Sequence, residues 1–233
     1  MKKGDIRKQE ILTAAETFFC KKGYEQTSIQ DILDRLKLSK GSFYHHFPSK
    51  ESLLEGICLN RAEQVYHMTE EQMKRENDVL SCLNILLSGM MPLCHEKISF
   101  LLMLLPIFHL PEGRSVRNSY CDALAEQFKS TVADMLHNGH QTGVLFCTNP
   151  ETTADMILLM MNYLWTQICE KIVSAEENGL EPDLSDMMSM VDIYRCATEK
   201  ILILPYGCLT LLDINILRSV TEQIHNHWKN NIF

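Results

Sequence analysis

Three helix starts fall within about twenty-five residues, at Thr27-Ser28, Ser39 and Ser49, and no other feature limits this chain's folding so sharply. In "TSIQDILDRLKL" Thr27 is followed three residues later by Gln30, a capping-box pattern, and Ile29, Ile32, Leu33 and Leu36 share one face. That spacing predicts a short helix from about Ser28. Ser39 caps a second start, with Phe43 and Phe47 four residues apart on the inward side. Pro48 disfavours helical geometry at Phe47, so this helix is barely two turns long before Ser49 opens the next. Ahead of them, Ile6, Leu12, Ala15, Phe18 and Phe19 recur at helical steps between Asp5 and Lys22, and Gly23 ends the run. The result is a tight helical bundle around Phe18, Phe19, Ile32, Leu36, Phe43 and Phe47. A unit this small is marginal alone and must lean on more of the chain.

The remaining residues also read as helical. Leu53 to Lys74, Val79 to Leu93, Lys97 to Leu110, Arg114 to Asn138, Pro150 to about Glu177, Asp183 to Leu204 and Asp213 to about Lys229 are the expected helices. They are separated by Pro92, "LPEG", "NGHQTG", "ENGLEPD" and a Pro205/Gly207 break. No alternating β pattern of any length occurs, so the class is all-α. The expected division is an N-terminal domain over residues 1–65, with a helix-turn-helix at about 28–47, and a larger helical domain over 66–233.

Charge divides the chain at nearly the same place. Residues 1–60 carry a net charge of +2 and residues 61–233 a net charge of −10, so only the first part suits a polyanion. The longest apolar run, Ile98 to Leu110, is broken by Pro106 and is short of a membrane span. The N-terminal residues lack the apolar core of a secretory signal, and a cytoplasmic location is the expectation. Nine cysteines are spread evenly without a C-x-x-C pair and read as small buried hydrophobes. Histidine and cysteine pairs at Cys94-His95, His137/His140 and His225/His227 lack the spacing of a structural zinc site. There is no phosphate loop or nucleophile elbow. Neither a metal, a cofactor nor an enzymatic activity is expected.

A helix-turn-helix lays its second helix in the DNA major groove. That helix has to begin with donors and small residues, and "SKGSFYHH" supplies them: the Ser39 and Ser42 hydroxyls, the Lys40 ammonium, and Gly41, which allows close backbone approach. Tyr44 and His45 lie opposite Phe43 and Phe47, free to reach phosphates or base edges. Thr27, Ser28 and Lys50 stand at helix starts, whose N–H groups also hold phosphates. Helix capping alone would explain Thr27, Ser39 and Ser49, so the spacing leaves both readings open.

The segment "ILTAAETFFCKKGYEQTSIQDILDRLKLSKGSFYHHFPSKESLL" resembles the N-terminal domain of the tetracycline-repressor (TetR/AcrR) family over roughly residues 5–65. The resemblance rests on a helix ending in Phe-Phe, the following Gly-Tyr, the Thr-Ser-Ile start and the S-K-G-x-x-Y-x-x-F-x-x-K-E-x-L run. It implies a homodimeric transcriptional regulator, a repressor of a palindromic double-stranded operator, whose second domain dimerises and binds a small molecule. Two positions depart from the family pattern. Lys37 stands where a turn glycine is common, and a left-handed conformation there would cost about 1–2 kcal/mol. His46 replaces an aromatic residue.

In "ADMILLMMNYLW" Ile157, Leu158, Met161, Leu164 and Trp165 share one side, while Met156, Met160 and Tyr163 are apolar on the other. A helix apolar nearly all round must be covered twice, and a second subunit is an economical cover. Met187, Val191 and Tyr194 belong to a comparable stripe on the next helix. The expected dimer residues are Ile157, Met160, Met161, Leu164, Met187, Val191 and Tyr194; the competing reading makes both helices plain core. For a hydrophobic or amphipathic effector the expected lining is Met68, Met90, Met91, Cys94, Met103, Phe108, His109, Tyr120, Phe128 and Tyr163. The alternative function is a DNA-bound adaptor that recruits a protein and has no small-molecule effector.

Overall fold

The computed structural model describes residues 3–93 and 98–231. Among them it contains α1 (Lys3–Lys22), α2 (Ile29–Leu36), α3 (Lys40–His46), α4 (Lys50–Met73), α5 (Val79–Gly89), α6 (Ile98–Leu104), a 3₁₀ turn (Leu105–Ile107), α7 (Pro111–Gln141), α8 (Pro150–Glu177), α9 (Leu184–Ile201) and α10 (Ile214–Asn231), and no strand. The fold is all-α, as the punctuation of the sequence predicts.

Three boundaries differ from expectation for identifiable reasons. The helix expected to run to Leu110 ends at Leu104, because Pro106 cannot continue it and instead sits in the 3₁₀ turn Leu105–Ile107. The "LPEG" segment does not separate two helices, because Pro111 is the first residue of α7, where its missing N–H leaves nothing unsatisfied. α5 ends at Gly89 rather than continuing to Leu93, since Pro92 cannot extend it. The expected start of the following helix at Lys97 lies outside the described residues.

The described chain forms two compact units. The first comprises residues up to Arg61 together with Ser99–Tyr120, and the second comprises Ala62–Ile98 and Cys121 onward. The first unit thus draws on a later segment of the chain besides its N-terminal helices. This supplies the extra core that so small a bundle needs.

In the first unit Ile11, Leu12, Ala15, Phe19, Ile32, Leu33, Phe43, Phe47, Leu53 and Leu54 are buried. Phe18 and Leu36 do not reach full burial and sit at the rim of that core. Gly56 sits so close beneath Phe47 that a Cβ there would lie 2.9 Å from its ring. Arg61 Nε donates to Glu16 at 2.5 Å, tying α4 to α1. In the added segment the Phe100 and Tyr120 rings are 4.7 Å apart, and the Arg117 guanidinium lies 4.9 Å from the Phe108 ring centre.

The second unit is built on α8, whose Ile157, Leu158, Met161, Leu164, Trp165, Ile168 and Ile172 are all buried. Asn162 fixes this helix by donating to the Cys121 carbonyl at 2.9 Å and accepting from Trp165 Nε1 at 3.2 Å. The α9–α10 linker is held by two clamps. Glu199 accepts the N–H groups of Gly207 and Leu209 at 3.1 and 3.0 Å while paired with Arg195 at 2.8 Å. Burial works against the Glu199 charge, yet the Leu209 and Gly207 N–H groups and Arg195 hold its carboxyl below the usual range. Asn84 donates to the Cys208 carbonyl and accepts from Thr210 N–H, so both ends of one amide grip the linker.

Candidate functional site

The site begins with the box that opens α2. Ser28 Oγ accepts the Asp31 N–H at 3.1 Å and Asp31 Oδ2 accepts the Ser28 N–H at 2.8 Å. The N-cap is thus Ser28, one residue after the Thr27 of the expected box, and the acid at the third helical position replaces Gln30. The Ser28 N–H, the Lys22 ammonium at 3.0 Å and the Ser28 hydroxyl hold the Asp31 carboxyl down at about 2.

α2 ends on Lys37, which takes up the left-handed conformation with φ 54° and ψ 46°. Leu38 N–H donates to the Leu33 carbonyl at 3.0 Å and Lys37 N–H to the Asp34 carbonyl at 3.4 Å, the paired bonds of a Schellman turn. A glycine is the residue that would make this turn without strain. The turn ends at Ser39, which caps α3 by accepting the Ser42 N–H at 3.2 Å.

α3 has two faces. Phe43 and Phe47 are buried, with ring centres 6.1 Å apart. Lys40, Gly41, Tyr44 and His45 are exposed, Tyr44 at 48 %, and Ser42 is half-buried. The Tyr44 ring stands edge-on to Phe43 at 5.4 Å, which braces it without covering its hydroxyl. A Cβ added at Gly41 would meet nothing within 4 Å, so no contact inside the chain requires glycine there. His46 is half-buried with its ring 5.3 Å from that of His45.

Besides the capping hydroxyls of Ser28 and Ser39, two further expected DNA-contacting side chains are engaged within the chain. Thr27 is 1 % exposed and donates its hydroxyl to the Gly23 carbonyl at 2.8 Å, which closes the α1–α2 turn. Lys50 is half-buried, its ammonium 4.1 Å from the Tyr24 ring centre and 3.5 Å from the Glu25 carbonyl. Burial pulls its pKa down, against Glu25 and Glu51. Ser28, Ser39, Lys40, Gly41, Ser42, Tyr44 and His45 remain together on the surface formed by the α2 start and α3.

The apolar stripe expected to meet a second subunit needs correction. Ile157, Met161, Leu164, Met187 and Val191 are buried within the chain itself, because α8 and α9 turn these faces inward on each other and on the second unit's core. Met160 and Tyr194 are half-buried. The apolar residues that reach solvent on the same helices are Met156, Leu159, Tyr163 and Ile193, at 49, 72, 55 and 65 %. Partial burial, with Tyr163 nearby, pushes the Tyr194 phenol up.

A cavity of about 350 Å³ lies in the second unit, lined by Met68, Thr69, Gln72, Asn84, Ile85, Ser88, Gly89, Met91, Leu93, Thr210, Leu211, Leu212, Asp213 and Ile216. Of the expected effector residues only Met68 and Met91 line it. Met90 and Phe128 are packed into the core, Phe128 edge-on to Tyr66 at 5.3 Å. Met103, Phe108 and Tyr120 are buried in the first unit, where the exposed His109 also lies. Tyr163 faces solvent, and Cys94, with His95, lies outside the described residues. The α9–α10 linker, whose Pro and Gly read in sequence as a mere break, supplies much of the wall. No disulfide forms among the described cysteines, and no group of three potential metal ligands occurs among the described residues. No described helix is long and apolar enough to cross a membrane.

Residues 11–57 match the family model of bacterial regulatory proteins of the tetR family. Over 56 residues the chain is 45 % identical to an uncharacterized helix-turn-helix transcriptional regulator encoded in the lacX 3′ region of Lactococcus lactis subsp. lactis. Over 60 residues it is 37 % identical to the transcriptional repressor KstR2 of Rhodococcus jostii. These alignments cover 24 and 26 % of this chain and 29 % of each relative, so each spans less than a third of the length of either protein. The fold likeness is wider. A tetR-family transcriptional regulator from Pectobacterium atrosepticum matches with a TM-score of 0.59 at 17 % identity, over 87 % of this chain and 97 % of that one. Residues 11–57 thus carry the helix-turn-helix region described by the tetR family model, and the chain shares the helical fold of a solved tetR-family regulator along most of its length.

Proposed function

We propose that the protein is a homodimeric repressor that binds a palindromic operator in the cytoplasm and is released by a small hydrophobic or amphipathic effector. The observation that carries this reading is the exposed face of α3, where Lys40, Gly41, Tyr44 and His45 stand clear of the core behind a rigid turn. Lys40 supplies a charged donor, Tyr44 and His45 supply polar tips, and open space over Gly41 lets a phosphate or base edge approach the backbone. The positive charge of residues 1–60 favours the encounter, and the negative remainder keeps the second unit off the duplex.

Dimerisation is supported by the outward row of Met156, Leu159, Tyr163 and Ile193 on α8 and α9, too apolar to be left to water along two adjacent helices. A two-fold pair would set its α3 helices about one helical turn of DNA apart, roughly 34 Å. The cavity in the second unit supports a small-molecule effector over the adaptor reading. An effector bound there would act only through its differential affinity for the operator-competent and released arrangements.

Selection of bound sequences from a random duplex pool, followed by anisotropy titration across salt concentrations, tests the reading. The expected result is one palindrome, two chains per site and affinity that falls steeply with salt. Equal binding to all duplexes, or none, would count against it.

A further inference from the structure

We propose that the cavity of the second unit takes a small amphipathic molecule with one positive charge, held by Asp213 at its polar end. The proposal rests on the reading of that unit as an effector-binding module and adds the chemistry of the effector. Apolar side chains such as Met68, Ile85 and Leu212 form most of the wall. Among the described lining residues Asp213 is the one acidic side chain, and none is Lys, Arg or His.

Of the five other polar lining side chains, those of Thr69, Ser88 and Asn84 are committed within the chain, which leaves the neutral Gln72 and Thr210. The Thr69 hydroxyl donates to the Val65 carbonyl at 2.8 Å and the Ser88 hydroxyl to the Ile85 carbonyl at 3.2 Å. Asn84 spends both ends of its amide on the linker. Asp213 differs. Its Oδ1 accepts the Asn215 and Ile216 N–H groups at 2.7 and 3.3 Å and caps α10, while no hydrogen bond falls on Oδ2 among the described residues.

This geometry discriminates by charge. The positive end of α10, which would otherwise attract an anion, is already satisfied by Asp213 Oδ1. A carboxylate or phosphate ligand would meet a like charge and find no cation among the described lining residues. An ammonium group would pair with Oδ2 through a charge-assisted hydrogen bond while its chain lay along the methionine and leucine side chains. The net charge of −10 over residues 61–233 draws cations toward this unit.

Isothermal titration of the full-length protein with heptylammonium, heptanol and heptanoate, three probes of one length, tests the proposal. Heptylammonium is expected to bind tightest. Asp213→Asn keeps an N-cap residue on α10 and is expected to weaken heptylammonium about tenfold while leaving heptanol unchanged. Ser88→Phe, which fills the cavity from an exposed position, is expected to abolish binding of both. Equal affinity for heptanoate, or heptylammonium binding unaffected by either substitution, would overturn the charge assignment but leave an effector site in place. Failure of all three probes to bind would overturn the charge assignment and the effector reading together.

Discussion

The Leu38 N–H donates to the Leu33 carbonyl at 3.0 Å across Lys37, and this one bond turns the chain from α2 into the cap of α3. It requires the residue between them to be left-handed, and that residue is a lysine with φ 54°. The position of the proposed recognition surface therefore depends on a turn that its own sequence strains.

Lys37→Gly should raise stability by up to about 1.6 kcal/mol. Release of about 1–2 kcal/mol of left-handed strain is partly offset by the greater freedom of glycine in the unfolded chain, about 0.4–1 kcal/mol. Lys37 is exposed, so the same substitution should reduce the salt dependence of operator binding if its ammonium lies near a phosphate. Urea denaturation reads the first effect, and a lowered midpoint would contradict the strain account.

Asp31 gives the α2 cap a pH dependence. Its folded pKa of about 2 lies below the ordinary value of 3.8, so its contribution is full above 3.8 and is lost as pH falls toward 2. Asp31→Asn should flatten that limb: between pH 5 and pH 3 its urea midpoint should drop less than that of the wild type. Parallel curves would show that Asp31 does not set the acid limb.

The two sides of α8 make opposite predictions. Leu159 is 72 % exposed and Ile157 fully buried. Leu159→Glu should halve the mass measured by light scattering and keep the helical circular dichroism. Ile157→Glu buries an unpaired charge, should cost about 4 kcal/mol or more, and should lose the folded signal. A Leu159→Glu protein that stays dimeric would remove this face as the interface.

Much of this architecture is legible in the sequence because caps and breakers act locally. Ser39, Gly23 and Pro150 end or begin helices through their own backbones and side chains, and the helices fall where these residues put them. Faces are harder to read. Along α8 almost every side is apolar, so periodicity does not say whether Ile157 or Leu159 points inward; the packing of α9 decides that. The cavity is hardest, since its wall joins Met68 and Asn84 to Asp213, residues far apart in the chain. The close passage of α5 over α4, where a Cβ on Gly89 would overlap Thr69, leaves no local mark. Thr27 misleads for a simpler reason: a threonine before a helix can cap it or close the preceding turn, and here its hydroxyl reaches back to Gly23.

The central claim is that α3 reads DNA through its exposed face. The most direct test is an anisotropy titration of Lys40→Ala and Tyr44→Ala against the selected operator, with folding checked by circular dichroism. Each substitution removes an exposed side chain without touching Phe43 or Phe47, and each is predicted to weaken specific binding by roughly 1–3 kcal/mol. Wild-type affinity in both variants would contradict the claim.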